Sequence, residues 1–296
     1  MSISFRIDNP KSWFGKKAVL SLNECLCLVA GLSQYSYSEF DNDIDLDKRY
    51  NSPLTSERVI VGIDELAGRG FEIGFDEGAY HVRINTPAAI EDWQAALQWL
   101  SALSQKLDKP IICEDDQKFS RESIMTYDYK SDIESGLYSI QGMMAEAEMV
   151  EIMGIHHPMA FNQQMIQAIL SSSNPSQAFS QALLTNQSVQ AYFANQMIAH
   201  NDYEDIGVYV LGEDVATILP IKPSVNMWSE YDDAMIDGWY IHLVFNDGTM
   251  SERLEYDKVI AALNENDYVP LDAKYIQTIG FDQARLQLLL SKVLQA

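Results

Sequence analysis

Residues 71–84 read Phe-Glu-Ile-Gly-Phe-Asp-Glu-Gly-Ala-Tyr-His-Val-Arg-Ile, two β-rich runs on either side of a short polar turn. The runs Phe71–Phe75 and Tyr80–Ile84 combine aromatic and β-branched residues, and Asp76–Gly78 supplies the glycine typical of a turn between strands. A third β-rich run, Arg58–Ile63, precedes them and is followed by another glycine-containing turn. The stretch therefore predicts three consecutive strands.

Signals on both sides of these strands predict an α+β domain over residues 1–120. Before them, Ser21-Leu22-Asn23-Glu24 forms a capping box, which opens a helix because the two polar side chains bond the free backbone N–H groups of its first turn. After them, Thr86-Pro87 opens a second helix, since proline is favoured at the first helical position. Further strands at Ser2–Ile7 and Ile111–Cys113 complete the order β-α-β-β-β-α-β.

A long stretch without charge distinguishes the second half of the chain. Residues 121–136 are polar and predict a connecting segment, after which residues 137–296 are expected to form a second domain. Residues 152–201 contain no charged side chain of either sign, whereas about a quarter of an average chain is charged. Many Asn and Gln residues interrupt the stretch, and they exclude a membrane span.

We interpret residues 158–199 as a layer of uncharged helices, in which Val189, Phe193 and Met197 predict the third helix. Two explanations stay open. The helices pack within the monomer, where methionine fills irregular gaps, or one face meets another protein or a second copy of the chain, because interface cores are depleted of charge. For the second explanation the candidate surface residues are Phe161, Gln164, Met165, Phe179, Leu183, Tyr192 and Met197.

The C-terminal part of the chain predicts a mainly antiparallel β region that joins the helical layer in one α+β domain. Strand-like runs occupy residues 207–211, 216–221 and 239–245. Asn246-Asp247-Gly248 is typical of a hairpin turn. A last helix is expected over residues 281–294, where leucines and a valine recur at helical spacing.

The charge balance excludes some classes of partner. The chain has 43 acidic and 20 basic side chains, a formal net charge of -23. Such a chain repels nucleic acids and anionic membranes, so we expect neither as a partner. Its three cysteines, Cys25, Cys27 and Cys113, suit neither a disulfide framework nor a zinc site, and we recognise no signal peptide or membrane span. The expected location is the cytoplasm.

Two acidic clusters are candidates for cation binding. Residues 111–117 place Cys113 beside three carboxylates, which disfavour a reactive thiolate, and Glu114 with Asp116 forms a candidate divalent-cation pair. Residues 41–47 space carboxylates as a calcium loop does, but Leu46 stands where that loop needs glycine. We therefore interpret residues 41–47 as a solvated loop.

Catalytic motifs are not recognised in the chain. It has no Gly-x-Ser-x-Gly elbow, phosphate-binding loop or His-Glu-x-x-His motif. His200 beside Asp202 has the residue types of a base and its orienting group, but a position in the last turn of a helix is the commoner reason for such a histidine. We name no catalytic residue and no cofactor, and the alternative to an interaction module is a small enzyme or a cation-dependent protein that uses Glu114 and Asp116.

Three segments resemble a known family. They are Ile-Ser-Phe-Arg-Ile-Asp-Asn-Pro-Lys-Ser-Trp-Phe-Gly-Lys at 3–16, Asn-Thr-Pro-Ala-Ala-Ile-Glu-Asp-Trp at 85–93, and Gly-Val-Tyr-Val-Leu-Gly-Glu-Asp-Val-Ala-Thr-Ile-Leu-Pro at 207–220. The chain resembles, over its whole length, a family of uncharacterised Gram-positive, streptococcal-type bacterial proteins, domain of unknown function family 4299. The resemblance implies a bacterial cytoplasmic setting and adds no functional residue.

Overall fold

The computed structural model describes residues 1–12, 15–35, 46–194, 196–200, 204–226 and 229–295. The predicted α+β class is confirmed, because helices and largely antiparallel sheets occupy this chain. The chain divides into two units that differ from the predicted domains. Unit 1 comprises Met1–Glu148, Met153–Pro158 and Gln163–Ser188, and unit 2 comprises Met149–Ile152, Met159–Asn162 and the chain from Val189 onward.

A seven-stranded antiparallel sheet forms the frame of unit 1. A separate small hairpin pairs β2 (Lys11–Ser12) with β3 (Gly15–Lys16). The strands of the large sheet are β1 (Ser2–Asp8), β4 (Leu32–Tyr35), β5 (Val59–Ile63), β6 (Phe71–Asp76), β7 (Ala79–Asn85), β8 (Ile111–Cys113) and β9 (Lys118–Phe119). Their order is β4-β5-β6-β7-β1-β8-β9, so the three strands predicted from residues 58–84 are confirmed as consecutive neighbours.

Unit 1 has six α-helices among its described residues. They are α1 (Leu22–Leu26), α2 (Leu46–Asn51), α3 (Ile90–Leu107), α4 (Tyr129–Met143), α5 (Gln163–Leu170) and α6 (Pro175–Gln187), and a 3-10 helix spans Ser123–Thr126. The capping box of α1 is confirmed: Ser21 Oγ accepts the Glu24 N–H at 3.2 Å, and a Glu24 carboxylate oxygen accepts the Ser21 N–H at 2.9 Å. The longest helix, α3, starts three residues later than Pro87, with Ala89 as its N-cap.

One face of α3 forms much of the core of unit 1. Trp93, Trp99 and Leu100 are fully buried, and the helix packs against β5, β6 and β7. The indole N–H of Trp99 donates to the carbonyl oxygen of Cys25 at 2.9 Å, so its polar atom is satisfied inside the apolar layer.

Residues 121–136, predicted to connect two domains, instead form the 3-10 helix and the first half of α4 within unit 1. The reason is that Ile133, Leu137 and Ile140 recur at helical spacing and are buried. The polar residues before Ile133 concealed this pattern, because they occupy the exposed side of the helix start.

The described part of unit 2 forms two four-stranded sheets. Its elements are β10 (Met149–Met153), β11 (Pro158–Asn162), β12 (Tyr192–Phe193), β13 (Met197–His200), β14 (Asp205–Gly212), β15 (Thr217–Pro220), β16 (Gly238–Val244), β17 (Leu254–Glu255), α7 (Tyr256–Ala262), β18 (Tyr268–Pro270), β19 (Tyr275–Thr278) and α8 (Gln283–Gln295). Strands β10 and β11 pair as a hairpin, of which the residues Met153 and Pro158 are counted in unit 1. The sheet orders are β12-β15-β19-β18 and β13-β14-β16-β17. The pairs β12–β15 and β14–β16 are parallel and the others antiparallel.

The predicted C-terminal strands and last helix are confirmed as β14, β15, β16 and α8. The predicted helix through Val189, Phe193 and Met197 is wrong, because this segment supplies β12 and β13, which pair with β15 and β14. Residues 158–162, expected in the first uncharged helix, are also a strand. Within the described residues, no helix is both long and apolar enough to cross a membrane.

Candidate functional site

The charge-free stretch forms a pair of helices in unit 1 whose outer side is covered with amides. Helices α5 and α6 pack against each other and against α4. Their apolar residues point inward, and Ile166, Phe179 and Leu183 are buried. We call the exposed side chains of the two helices the amide face; its polar members are Gln163, Gln164, Gln167, Gln177, Gln181 and Thr185.

The seven residues predicted to share one interaction surface differ in burial and in the unit to which they belong. Phe161, Phe179 and Leu183 are fully buried and contribute to the core. Gln164 is exposed and Met165 half-buried on α5 of unit 1, whereas Tyr192 and Met197 are 46 % and 49 % exposed on strands of unit 2. For Phe179 and Leu183 the correction follows from the helical period: both residues also fit the inward stripe of α6, and burial selects that stripe.

The inner side of α6 carries polar groups that are used within unit 1. The Gln187 side chain is 4 % exposed. Its oxygen accepts the N–H of His156 at 2.9 Å and of His157 at 3.3 Å, and its Nε2 donates to the carbonyl oxygen of His157 at 3.0 Å. A β-carbon at Gly154 would lie 2.3 Å from the Gln187 amide carbon, so this amide is a structural clamp on the turn at residues 154–157.

Among the described residues of unit 1, the most buried carboxylate is that of Asp92, in the first turn of α3. It is 2 % exposed and accepts four backbone N–H groups, from Gly68, Arg69, Gly70 and Ala89, at 2.9 to 3.0 Å. Burial raises the pKa of Asp92 to about 6, although these four N–H groups act in the opposite direction. The arrangement fixes the Gly-Arg-Gly turn to the helix start and leaves no oxygen free for a ligand.

The arginine of that turn is also held internally. Arg69 Nε donates to the carbonyl oxygen of Met153 at 2.7 Å, and one terminal nitrogen donates to the carbonyl oxygen of Pro87 at 2.9 Å. The sequence indicates only a glycine-containing turn at residues 68–70. It carries no signal of the buried carboxylate beneath this turn, because Asp92 lies far from it in sequence.

The candidate cation pair lies in the turn after β8. A Glu114 carboxylate oxygen accepts the backbone N–H of Ser4 at 2.9 Å, and Asp116 adopts a left-handed conformation with φ 65°. Among the described residues, no group of three or more His, Cys, Asp or Glu side chains is placed to share a metal ion. Burial raises the pKa of the Cys113 thiol, although backbone hydrogen bonds from the following turn act in the opposite direction. Residues 41–45 of the other acidic cluster and Asp202 lie outside the described residues.

A surface histidine joins an aspartate and a tyrosine in unit 2. His200 Nδ1 lies 2.5 Å from an Asp205 carboxylate oxygen, and its Nε2 lies 2.5 Å from the Tyr231 hydroxyl. With a proton on Nδ1, the ring donates to Asp205 and accepts from Tyr231. His200 is 48 % and Asp205 36 % exposed at the side chain, so water competes for these bonds and we assign no reaction to the group.

A more buried polar cluster in unit 2 connects β10 to β19. Lys274 Nζ lies 2.7 Å from one Glu151 oxygen, and the Tyr275 hydroxyl donates to the other at 2.7 Å. Burial and the Glu151 charge raise the pKa of Tyr275, which keeps its hydroxyl protonated as a donor. Neither this cluster nor Tyr231 beside His200 had a sequence signal, because their members are brought together only by strand pairing and loop folding.

Comparison with known proteins adds one match. A family model described as a domain of unknown function (DUF4299) matches residues 2–289. No curated protein and no solved structure matches the chain.

Proposed function

Since this chain belongs to the DUF4299 family, a domain of unknown function, we propose its role from its own surface: it is a non-catalytic protein-interaction module of the bacterial cytoplasm that binds through the amide face. The observation that carries the proposal is the absence of charge from every side chain of α5 and α6 in a chain of net charge -23. A charge-free face lets a partner approach without strong repulsion or the cost of desolvating unpaired charges.

Helix α4 adds apolar anchors to this surface. It packs against α5 and α6 and exposes Tyr138 by 60 % and Met143 by 52 %. Tyrosine and methionine are enriched in interfaces, where a few such residues contribute most of the binding free energy. The partner is therefore another protein or a second copy of this chain, with Tyr138 as the expected central contact.

The cytoplasmic part of the proposal draws on the cysteines and the family resemblance. Cys25, Cys27 and Cys113 form no disulfide, as is usual in a reducing compartment.

Two variants with equal added charge test the proposal. Gln164→Glu with Gln177→Glu places two carboxylates on the amide face, and Gln283→Glu with Gln287→Glu places two on the exposed side of α8. Tagged wild-type protein and both variants are used to capture partners from the native cytoplasm, and size-exclusion chromatography with light scattering measures self-association. We expect the wild type and the α8 variant to retain one partner, either another protein or a second copy of the chain, in near-equal amount. The amide-face variant and Tyr138→Ala should not retain this partner.

The proposal fails if the wild type stays monomeric and retains no protein near equal amount. It also fails if the amide-face variant retains the same partner as the α8 variant. Circular dichroism and thermal unfolding of all four proteins, Tyr138→Ala included, ensure that a loss of binding does not reflect misfolding.

A further inference from the structure

A groove in unit 1 lies between the last turn of α3 and strand β9. It shares no residue with the amide face. Its volume is about 560 Å³, and its lining includes Lys109, Lys118 and Arg121 together with Asp108 and Glu122. The groove is lined by three basic and two acidic side chains, whereas the whole chain has more than twice as many acidic as basic side chains. Its local charge is thus opposite to that of the whole protein.

Two of the three cations are available to a ligand. Lys109 and Lys118 form no ion pair with any of the residues that the structure describes. Arg121 is paired with its neighbour Glu122 at 2.5 Å, but both side chains are more than half exposed, and such a pair is exchanged at little cost.

The backbone of each cationic residue is held in place. Ser104 Oγ donates to the carbonyl oxygen of Lys109 at 2.6 Å, and Ser101 Oγ donates to that of Arg121 at 2.8 Å. Lys118 lies opposite Ile112 in the β8–β9 ladder. The three positive side chains therefore start from fixed positions around one space, which lowers the entropy lost on binding a ligand.

The C-terminus of α3, whose partial negative charge would repel an anion, is capped. The Ser104 carbonyl oxygen accepts the N–H groups of both Asp108 and Lys109. This bonding satisfies one of the carbonyl groups from which the negative end of a helix arises.

We propose that this groove binds a small molecule that carries a phosphate group. Lysine is a common phosphate ligand, and the groove volume falls within the range of small-molecule sites. The half-buried ring of Phe119 lies in the lining and offers a surface for a flat ring on the same molecule. The net charge of -23 disfavours an anionic membrane surface, so the ligand is a soluble one.

Isothermal titration with adenosine monophosphate, inorganic phosphate and adenosine tests the proposal. The proteins are the wild type, Lys109→Gln with Lys118→Gln, and the control Lys258→Gln, which removes an exposed lysine of α7. We expect adenosine monophosphate to bind the wild type and the control equally, and the double variant at least about tenfold more weakly, a difference of about 1.4 kcal/mol. Binding should also weaken between about 20 mM and about 200 mM salt, because salt screens exposed charges.

If inorganic phosphate is the one ligand that binds the wild type, and the double variant does not bind it, the result likewise supports the site. The proposal is overturned if neither phosphate compound binds, if the double variant binds them as the wild type does, or if adenosine binds as tightly as its monophosphate. Binding to phosphatidylglycerol vesicles without binding of either soluble phosphate compound also overturns it. All three substituted lysines lie at least partly at the surface, and thermal unfolding verifies that the variants fold.

Discussion

The indole ring of Trp239 covers Gly207 in the parallel strand pair β14–β16, where the two residues are direct neighbours. A β-carbon at residue 207 would lie 2.0 Å from the Trp239 ring, far inside van der Waals contact. Gly207 is therefore part of the packing of this sheet, since any other residue displaces the ring.

Gly207→Ala should lower the free energy of unfolding by about 1–3 kcal/mol, the usual cost of overpacking. Urea denaturation followed by fluorescence measures the change. The control is Gly142→Ala in α4, where a β-carbon meets nothing within 4 Å; it should stabilise the protein by about 0.5–1 kcal/mol through helix propensity.

A double-mutant cycle separates the contact from other effects of the alanine. In a Trp239→Ala background the ring is absent, so Gly207→Ala should cost much less than in the wild type. An equal cost in both backgrounds would contradict the contact as the cause.

Asp92 should make stability depend on pH in a direction opposite to that of most acidic groups. The pKa of Asp92 in the folded protein is about 6, above the ordinary 3.8, so the folded state binds the proton more tightly than the unfolded state. Its contribution to stability is largest below pH 4 and is lost as the pH rises through 6.

Comparison with Asp92→Asn, which does not titrate, isolates this contribution. The unfolding free energy of the wild type minus that of the variant should fall by about 2 kcal/mol between pH 4 and pH 7.5, most of the total expected from 1.36 kcal/mol per pKa unit. A difference that instead grows with pH would show that the four N–H donors outweigh burial and hold the folded-state pKa below 3.8.

Gln187→Ala should destabilise unit 1 strongly, since it leaves the N–H groups of His156 and His157 without the side-chain oxygen that they share. We expect a loss of about 2–3 kcal/mol in chemical denaturation, because unsatisfied buried polar groups are costly. Gln181→Ala is the matched control on the exposed side of the same helix and should change stability by less than about 0.5 kcal/mol. Equal effects of the two substitutions would contradict the clamp.

One of the three thiols should react in the native state. Cys27 is exposed, whereas Cys25 and Cys113 are buried, and burial raises the pKa of Cys25 to about 12. A disulfide reagent at pH 8 should therefore label Cys27 quickly and the other two only on unfolding, as mass spectrometry of the labelled peptides reports. Cys27→Ser should abolish the fast phase, and fast labelling of Cys113 would contradict the burial seen at the end of β8.

The sequence by itself determined those features that depend on neighbouring residues. The three strands of residues 58–84, the capping box at Ser21, the α8 stripe and the absence of charge from residues 152–201 follow from periods and turn residues within short windows. The α+β class follows from their order.

Only the tertiary structure decided which apolar residues are buried and which strands pair. An inward and an outward apolar residue look alike in a sequence pattern, so the pattern alone places Phe179 and Leu183 on the surface, whereas both are fully buried. Val189, Phe193 and Met197 fit a helical period, yet hydrogen bonds to β14 and β15 draw their segment into two sheets. The contact of Asp92 with residues 68–70 joins residues far apart in the chain. The groove depends on the chain folding back after β8, which brings residues 118–122 beside the last turn of α3. Burial and strand pairing of this kind depend on partners that no short window of sequence contains.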